Sequence, residues 1–179
     1  EAGEVAIARG RIEGELLALK GSLLELTENI IRLRKQLREV EIQAESQMQS
    51  QQALASETHL LAKDNAIAGM VVLVSSGAEQ QARLKREIAE RDARILKHLE
   101  ALEAAAAGSD EDKALVAEVR KRHATYAAGV KRIVDMVLAG KQAEAAFAAD
   151  EEMIPMRAPF LGALAKLDDQ QVEQVKKTE

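Results

Sequence analysis

The chain has no cysteine and, among its 179 residues, only two prolines, ten glycines and 2% aromatic residues. The lack of cysteine excludes disulfide frameworks, thiolate metal sites and cysteine nucleophiles. Proline and glycine are too few to form the turns of a many-stranded protein, and large aromatic side chains are too scarce to fill a sheet-based core. With 47% hydrophobic residues, the core is expected to consist of Ala, Leu, Ile, Val and Met, which is typical of close-packed helices.

Charge of one sign and long apolar runs are also missing. The 25 basic and 30 acidic residues give a net charge of -5 and are mixed along the chain, which argues against a nucleic-acid partner. The longest apolar run, from Ala66 to Val74, is about half of the roughly 20 residues that a spanning helix requires. Because the sequence begins with Glu1, we expect a fragment of a protein whose targeting or membrane segments lie outside it.

A heptad pattern occupies the first part of the chain. Apolar residues alternate steps of four and three at Ile12, Leu16, Leu19, Leu23, Leu26, Ile30, Leu33, Leu37 and Val40. This is the spacing of a coiled-coil seam, and so narrow a stripe suits one or two partner helices better than a globular core. Residues 1–45 are therefore predicted to be a coiled-coil dimerisation segment, either natural or an engineered fusion.

The same spacing continues beyond this segment, so one helix is predicted over about residues 5–75. The continued seam contains Gln51, Thr58 and Asn65 one heptad apart, where apolar residues would bind more tightly. A polar seam residue can fix the register and the two-strandedness of a coiled coil. Thr58 and Asn65 are also candidate ligand contacts if the ligand lies at a dimer interface.

The apolar stripes and the breaks between them predict four helices of similar length, at 46–75, 78–106, 110–139 and 142–176. Gly77 and Gly140 are expected to end helices, and Ser109 or Asp110 to cap the third. Ser75 and Ser76 are possible caps for the second.

Pro155 and Pro159 lie inside the fourth apolar pattern. Each removes a backbone hydrogen bond, so a kink or a local irregularity is expected there. Because short connections join long helices, the predicted fold is all-α: an antiparallel up-down-up-down four-helix bundle over residues 46–179. The N-terminal coiled coil is expected to be continuous with its first helix.

No pattern in the sequence is typical of an enzyme. A Gly-rich phosphate loop, a G-x-S-x-G motif and a cysteine nucleophile are all missing, so no catalytic site is expected. His59, His98 and His123 have no Glu or His three or four residues later, which argues against an inward-facing metal site. Neither a metal nor a cofactor is expected.

Polar groups are concentrated on the third predicted helix, in Arg120-Lys-Arg-His-Ala-Thr-Tyr126, which contains the only tyrosine. Arg122 and His123 lie four and three residues before Tyr126, so the three side chains are expected on a shared helix face. Together with Arg120 they are candidates to bind a small carboxylate ligand. The alternative is a solvated basic face on which Tyr126 covers the edge of the core.

Together with the Arg/Glu-rich second helix, several stretches of the sequence are similar to those of a known family. They are Lys63-Asp-Asn-Ala-Ile-Ala-Gly-Met-Val-Val-Leu-Val74, His123-Ala-Thr-Tyr126, Val137-Leu-Ala-Gly-Lys141, Met153-Ile-Pro-Met156 and Leu164-Ala-Lys-Leu-Asp-Asp-Gln170. In these residues and in helix order, the segment from about Ser46 to Glu179 resembles the four-helix-bundle sensor domain of bacterial methyl-accepting chemotaxis receptors.

The resemblance implies a periplasmic domain of an inner-membrane receptor, joined to membrane segments absent from this chain. It further implies a homodimer through the first helix, a small organic acid or amino acid as ligand, and a sliding of the fourth helix that carries the signal inward. In the aspartate-receptor branch of the family, arginines on the first helix hold the ligand carboxylates. This sequence has Lys63, Asp64 and Asn65 there, so a different ligand or pocket is expected.

The predicted function is a chemotaxis sensor domain that binds a small anionic metabolite and signals by helix displacement. The rival prediction is a structural coiled-coil or helical-bundle interaction protein without a small-molecule ligand. The unbroken heptad pattern from Ile12 to Val40 favours the rival.

Overall fold

The computed structural model describes residues 2–177, and these residues form helices and turns without a β-strand. The helices are α1 (Ala2–Val74), α2 (Ala78–Ala105), α3 (Asp110–Leu138), α4 (Gln142–Ala148) and α5 (Ile154–Lys176). A 3-10 turn (Ala106–Gly108) follows α2, and a π-helical turn (Ala149–Met153) joins α4 to α5. The predicted all-α fold is confirmed. The predicted helix ends from residue 74 onward agree with these bounds to within one residue, whereas the first helix begins three residues earlier than predicted.

Contacts between Cα atoms divide the chain into two units, Glu1–Ser46 and Gln47–Glu179. All side chains of residues 2–46 are exposed. The apolar residues of the heptad seam are 42% to 66% exposed, so within the described part of this unit they have no helix to pack against. The coiled coil and the domain boundary at residue 45 stay predictions.

In the second unit, the remainder of α1 packs with α2, α3 and a fourth helix formed by α4, the π-helical turn and α5. This arrangement confirms the predicted antiparallel four-helix bundle. The largest fully buried side chains of the core include Val72, Ile95, Leu99, Ile133, Met153, Phe160, Leu164 and Leu167. The continued seam positions of α1 are buried here, at Thr58, Leu61, Asn65, Ala68 and Val72.

Glycine and serine at two helix ends act as predicted. Gly140 has φ 76°, the left-handed conformation that ends α3. Ser109 Oγ accepts a hydrogen bond of 3.2 Å from the backbone N–H of Asp112 and caps α3.

The turn between α1 and α2 differs from the prediction. Gly77 has an extended backbone (φ -97°, ψ 125°) and precedes α2 without a side-chain cap, so left-handed glycine and serine capping were wrong there. The amides of Gln81 and Gln142 hold the turn instead, since both donate to the carbonyl oxygen of Ser75, at 2.8 and 2.9 Å. These two side-chain amides, from α2 and α4, therefore satisfy the carbonyl oxygen after α1 in place of a local cap.

The irregularity predicted around the prolines is confirmed as the π-helical turn, which ends directly before α5. Pro155 lies in the first turn of α5 and Pro159 inside it, and neither can donate a backbone hydrogen bond. The π-helical turn, whose hydrogen bonds span five residues, lies directly before this proline-containing segment. Among the described helices, none is both long and apolar enough to cross a membrane.

Candidate functional site

The two arginines predicted as ligand contacts lie at the surface of the bundle and are paired with glutamates. Arg120 forms an ion pair with Glu103 of α2. Arg122 Nε donates to Glu118 Oε1, one turn earlier on α3, at 2.6 Å. The hydrogen bond from Arg122 lowers the pKa of the Glu118 carboxyl. A ligand carboxylate at either arginine would have to compete with a glutamate already in place.

His123 and Tyr126, the other predicted contacts on α3, are buried, with 2% and 3% of their surface exposed. The expected face shared by Arg122 and Tyr126 is therefore not formed. Residues four apart on a helix differ by about 40° in direction, and here the edge of the core falls between these two. The structure brings His123 and Tyr126 together with Asn65 and leaves Arg120 and Arg122 outside.

Four polar side chains meet inside the bundle, and we call them the polar centre: Asn65 of α1, Asp92 of α2, and His123 and Tyr126 of α3. Asn65 Nδ2 donates to Asp92 Oδ1 at 3.0 Å and to the carbonyl oxygen of Ile88 at 3.2 Å. His123 Nε2 lies 3.1 Å from Asp92 Oδ1. Because a carboxylate only accepts hydrogen bonds, Nε2 carries a proton. One carboxylate oxygen thus connects α1, α2 and α3.

An aromatic contact fixes the rings of the polar centre. Phe160 of α5 is 1% exposed. Its ring centroid lies 5.4 Å from that of His123 in a tilted arrangement and 5.5 Å from that of Tyr126 in a stacked one. Both are favourable aromatic geometries. The fourth helix is therefore in direct contact with the polar centre.

The polar centre is incompletely satisfied. Asn65 Oδ1, His123 Nδ1 and the Tyr126 hydroxyl are buried without a hydrogen-bond partner among the described residues. Each such atom costs about 1–3 kcal/mol of stability. Burial raises the pKa of Tyr126 to about 12, so the phenol is neutral at physiological pH. Three unpaired polar atoms in one layer of a core are a feature of binding sites more than of structural cores.

Thr58, the sixth predicted contact, lies apart from the polar centre. Its hydroxyl donates to the carbonyl oxygen of Leu54 at 2.6 Å and lies 3.3 Å from His98 Nδ1 of α2. Seven residues separate Thr58 from Asn65, or about 10 Å along the helix axis. Both side chains face α2 of the same chain, so here they do not have the predicted role of setting a two-stranded seam.

An open cleft of about 310 Å³ lies between α2 and α3 and reaches the polar centre. Its volume is at the lower end of the roughly 300–1,000 Å³ typical of ligand pockets. Alanines on both helices leave the space that larger side chains would fill. Its lining residues are Lys85, Ile88, Ala89, Asp92, Leu96, His123, Ala127, Ala128, Lys131, Val134 and Asp135.

Asp92 lies where this cleft meets the interior of the bundle. It lines the cleft and also borders the core region around Asn65, Tyr126 and Phe160. That core region is packed too tightly to admit a water molecule, so in this conformation bridging waters cannot satisfy the unpaired atoms. Asp92 is therefore the polar side chain shared by the linings of the cleft and of this core region.

Asp92 is the residue of the polar centre that the sequence prediction missed. The apolar stripe of α2 runs through Leu84, Ile88, Ile95 and Leu99. Ile88 and Ile95 are seven residues apart, so one position of the regular steps of three or four lacks an apolar residue. That position falls at Arg91 or Asp92, both charged. A charged residue at a position where the period requires an apolar one was the available signal.

The described residues contain no group of three His, Asp or Glu residues placed to hold a metal ion. The sequence profile of a family described as a four helix bundle sensory module for signal transduction matches residues 55–179. No curated protein matches the chain. The matched region contains α2, α3, the fourth helix and the whole polar centre. The family is a signalling module and not a catalytic domain. By this match the chain belongs to the four-helix-bundle sensory modules of chemotaxis-type signal transduction.

Proposed function

We propose that the chain is the periplasmic ligand-binding domain of a chemotaxis transducer, which binds a small organic acid or amino acid and signals by displacement of its fourth helix. Family membership supports the sensory role. The observation that carries the ligand proposal is the set of three unpaired buried polar atoms beside an open cleft. Apolar side chains of similar volume at these positions would give a bundle at least as stable. The polar centre is therefore retained for binding.

The proposed ligand site consists of the polar centre and the cleft between α2 and α3. Lys131 is the cation proposed to hold the ligand carboxylate, because it lines the cleft and has no ion pair among the described residues. Lys85 lines the same end but is paired with Asp135 at 2.7 Å. Arg120 and Arg122, each already paired with a glutamate, are proposed to contribute less.

We also propose that the domain forms a homodimer through its first helix. Leu60, Ile67 and Val74 follow one another at seven-residue spacing on α1 and are 62%, 64% and 81% exposed. Such a row on a helix that is otherwise packed against its own chain suits a second helix of the same kind. The exposed seam from Ile12 to Val40 would associate by the same principle.

The fourth helix is the proposed moving element. Phe160 places it against the polar centre, so a ligand that rearranges His123 or Tyr126 acts on it directly. The π-helical turn (Ala149–Met153) provides a means of movement. Its conversion to α geometry would displace α5 by about one residue, or 1.5 Å along the axis.

A thermal-shift screen of the whole chain against organic acids and amino acids tests this function. A compound that binds only the folded state raises the melting temperature by mass action. We expect His123→Phe, which keeps a ring against Phe160 and removes both nitrogens, to lose the shift. Arg122→Ala should keep it. The reverse result would place the site on the basic face of α3.

The rival interaction protein predicts a different outcome. A bundle that only docks partner helices should respond to no compound, and His123→Phe should then melt at the same or a higher temperature without other consequence. No response from any organic acid or amino acid would contradict the sensory proposal and favour the rival.

A further inference from the structure

We infer that the Asp92 end of the cleft accepts the ammonium group of a small aliphatic amine, whose apolar chain lies along the wall formed by Ala89, Ala127 and Ala128. The inference rests on the proposed function, because it takes the cleft as the ligand site. It adds a chemical requirement at the end opposite to Lys131.

The hydrogen-bonding pattern at Asp92 leaves acceptors free. Asp92 Oδ1 already receives the Asn65 amide and His123 Nε2, which leaves Oδ2 without a hydrogen bond among the described residues. Asn65 Oδ1 and His123 Nδ1 are buried and unpaired. An amide oxygen only accepts hydrogen bonds. Asp92 Oδ2 and Asn65 Oδ1 therefore require donors, and Asp92 is the one of these two residues that lines the cleft.

An ammonium group matches this arrangement. It supplies three N–H donors and a positive charge, and it has no acceptor that would compete with them. A carboxylate in the same place would meet Asp92 as a like charge and would leave the acceptors unpaired. The free groups thus select a cationic head and reject an anionic one at this end of the cleft.

The other charged groups of the cleft lie well away from Asp92. Lys85 is seven residues from Asp92 on α2, and Lys131 is eight residues from His123 on α3, which corresponds to about 10–12 Å along each axis. That exceeds the Debye length of about 8 Å at physiological ionic strength. Nearer by, Arg91 is paired with Glu87 at 3.5 Å. An ammonium group at Asp92 is therefore not opposed by an unpaired lysine of the cleft.

The walls between the two ends suit an aliphatic chain. Apart from its charged groups and His123, every residue lining the cleft is apolar. A short alkyl chain can fill such a space without losing hydrogen bonds to water. A ligand with an amine at one end and a carboxylate at the other would engage both Asp92 and Lys131.

Three probes of equal chain length test the inference: pentylamine, pentanoate and 5-aminopentanoate. Binding to the whole chain is measured by calorimetry and by chemical-shift changes at the methyl groups of Ala127 and Ala128. We expect pentylamine and 5-aminopentanoate to bind and to shift both methyls. Asp92→Asn, which keeps an oxygen for Asn65 and His123, should weaken both by about tenfold to a hundredfold, as expected for loss of a charged hydrogen bond. The control Glu90→Gln changes an exposed carboxyl nearby on α2 and should leave binding unchanged.

Two results would overturn the inference. One is equal binding of the amines to the wild-type chain and to Asp92→Asn, with intact folding of the variant shown by circular dichroism. The other is the absence of methyl shifts with pentylamine, whether pentanoate shifts the methyls or none of the three probes does. The pentanoate result would leave an acid sensor in place and so separates failure of this inference from failure of the proposed function.

Discussion

Two parts of α1 have the same apolar spacing and opposite environments. Between Ile12 and Val40 the seam positions are exposed, with Leu16 at 66%, whereas between Thr58 and Val72 the continued positions are buried, with Val72 at 0%. The sequence pattern does not distinguish the two parts. A seven-residue period therefore predicts a helix and the face that will be buried, but not whether the partner is the same chain or another copy.

The largest expected difference between the two parts is in their contribution to the stability of the bundle. Leu61→Ala, in the second part, removes a buried side chain that is 7% exposed and should lower the free energy of unfolding by about 2–5 kcal/mol. Leu23→Ala, at 55% exposure, should leave the unfolding transition of the bundle unchanged and weaken only self-association. Chemical denaturation at low protein concentration, with sedimentation for the mass, measures both. Equal destabilisation by the two variants would contradict the comparison.

The second largest expected effect concerns how the stability of the bundle depends on pH through one buried group. Burial raises the pKa of Tyr126 from 10.0 to about 12, so the unfolded chain releases the phenol proton before the folded chain does. The stability due to this group is present below pH 10 and is lost as the pH rises to about 12, by about 3 kcal/mol in total.

Tyr126→Phe should remove this alkaline loss. It should also leave stability at neutral pH unchanged or slightly higher, since the hydroxyl it deletes has no partner among the described residues. Urea denaturation between pH 8 and pH 12 measures the effect for both proteins. An identical alkaline slope in the two proteins would show that Tyr126 is accessible to solvent.

The sequence was sufficient for the helices of the bundle, because apolar periodicity, the left-handed Gly140 and the Ser109 cap are local signals. It was not sufficient for the site. Whether Arg122 faces outward depends on the edge of the core, which lies within the 40° that separates it from Tyr126. The contact of Asn65 with Asp92 depends on how two helices are aligned lengthwise, and no local pattern specifies that.

The smallest expected effects come from glycine. Gly162→Ala adds a methyl group to open space in α5 and should stabilise the bundle by about 0.5–1 kcal/mol through helix propensity. At Gly129 the added Cβ would lie 3.4 Å from the carbonyl oxygen of Glu152 in the π-helical turn. Gly129→Ala should therefore gain less or become destabilising. Thermal melts of the two variants are compared directly, and an equal gain would show that α3 and the π-helical turn are not in close contact.

The central claim is that the polar centre is kept for binding at some cost in stability. The most direct measurement is the free energy of unfolding of the triple variant Asn65→Leu, Asp92→Leu, His123→Phe, which approximately keeps the side-chain shapes and removes the polar atoms of these three residues. We predict a value equal to that of the wild type or higher by about 1–4 kcal/mol, as found when buried polar groups are replaced by apolar ones. A loss of several kcal/mol would contradict the claim, because it would show that these side chains hold the bundle together.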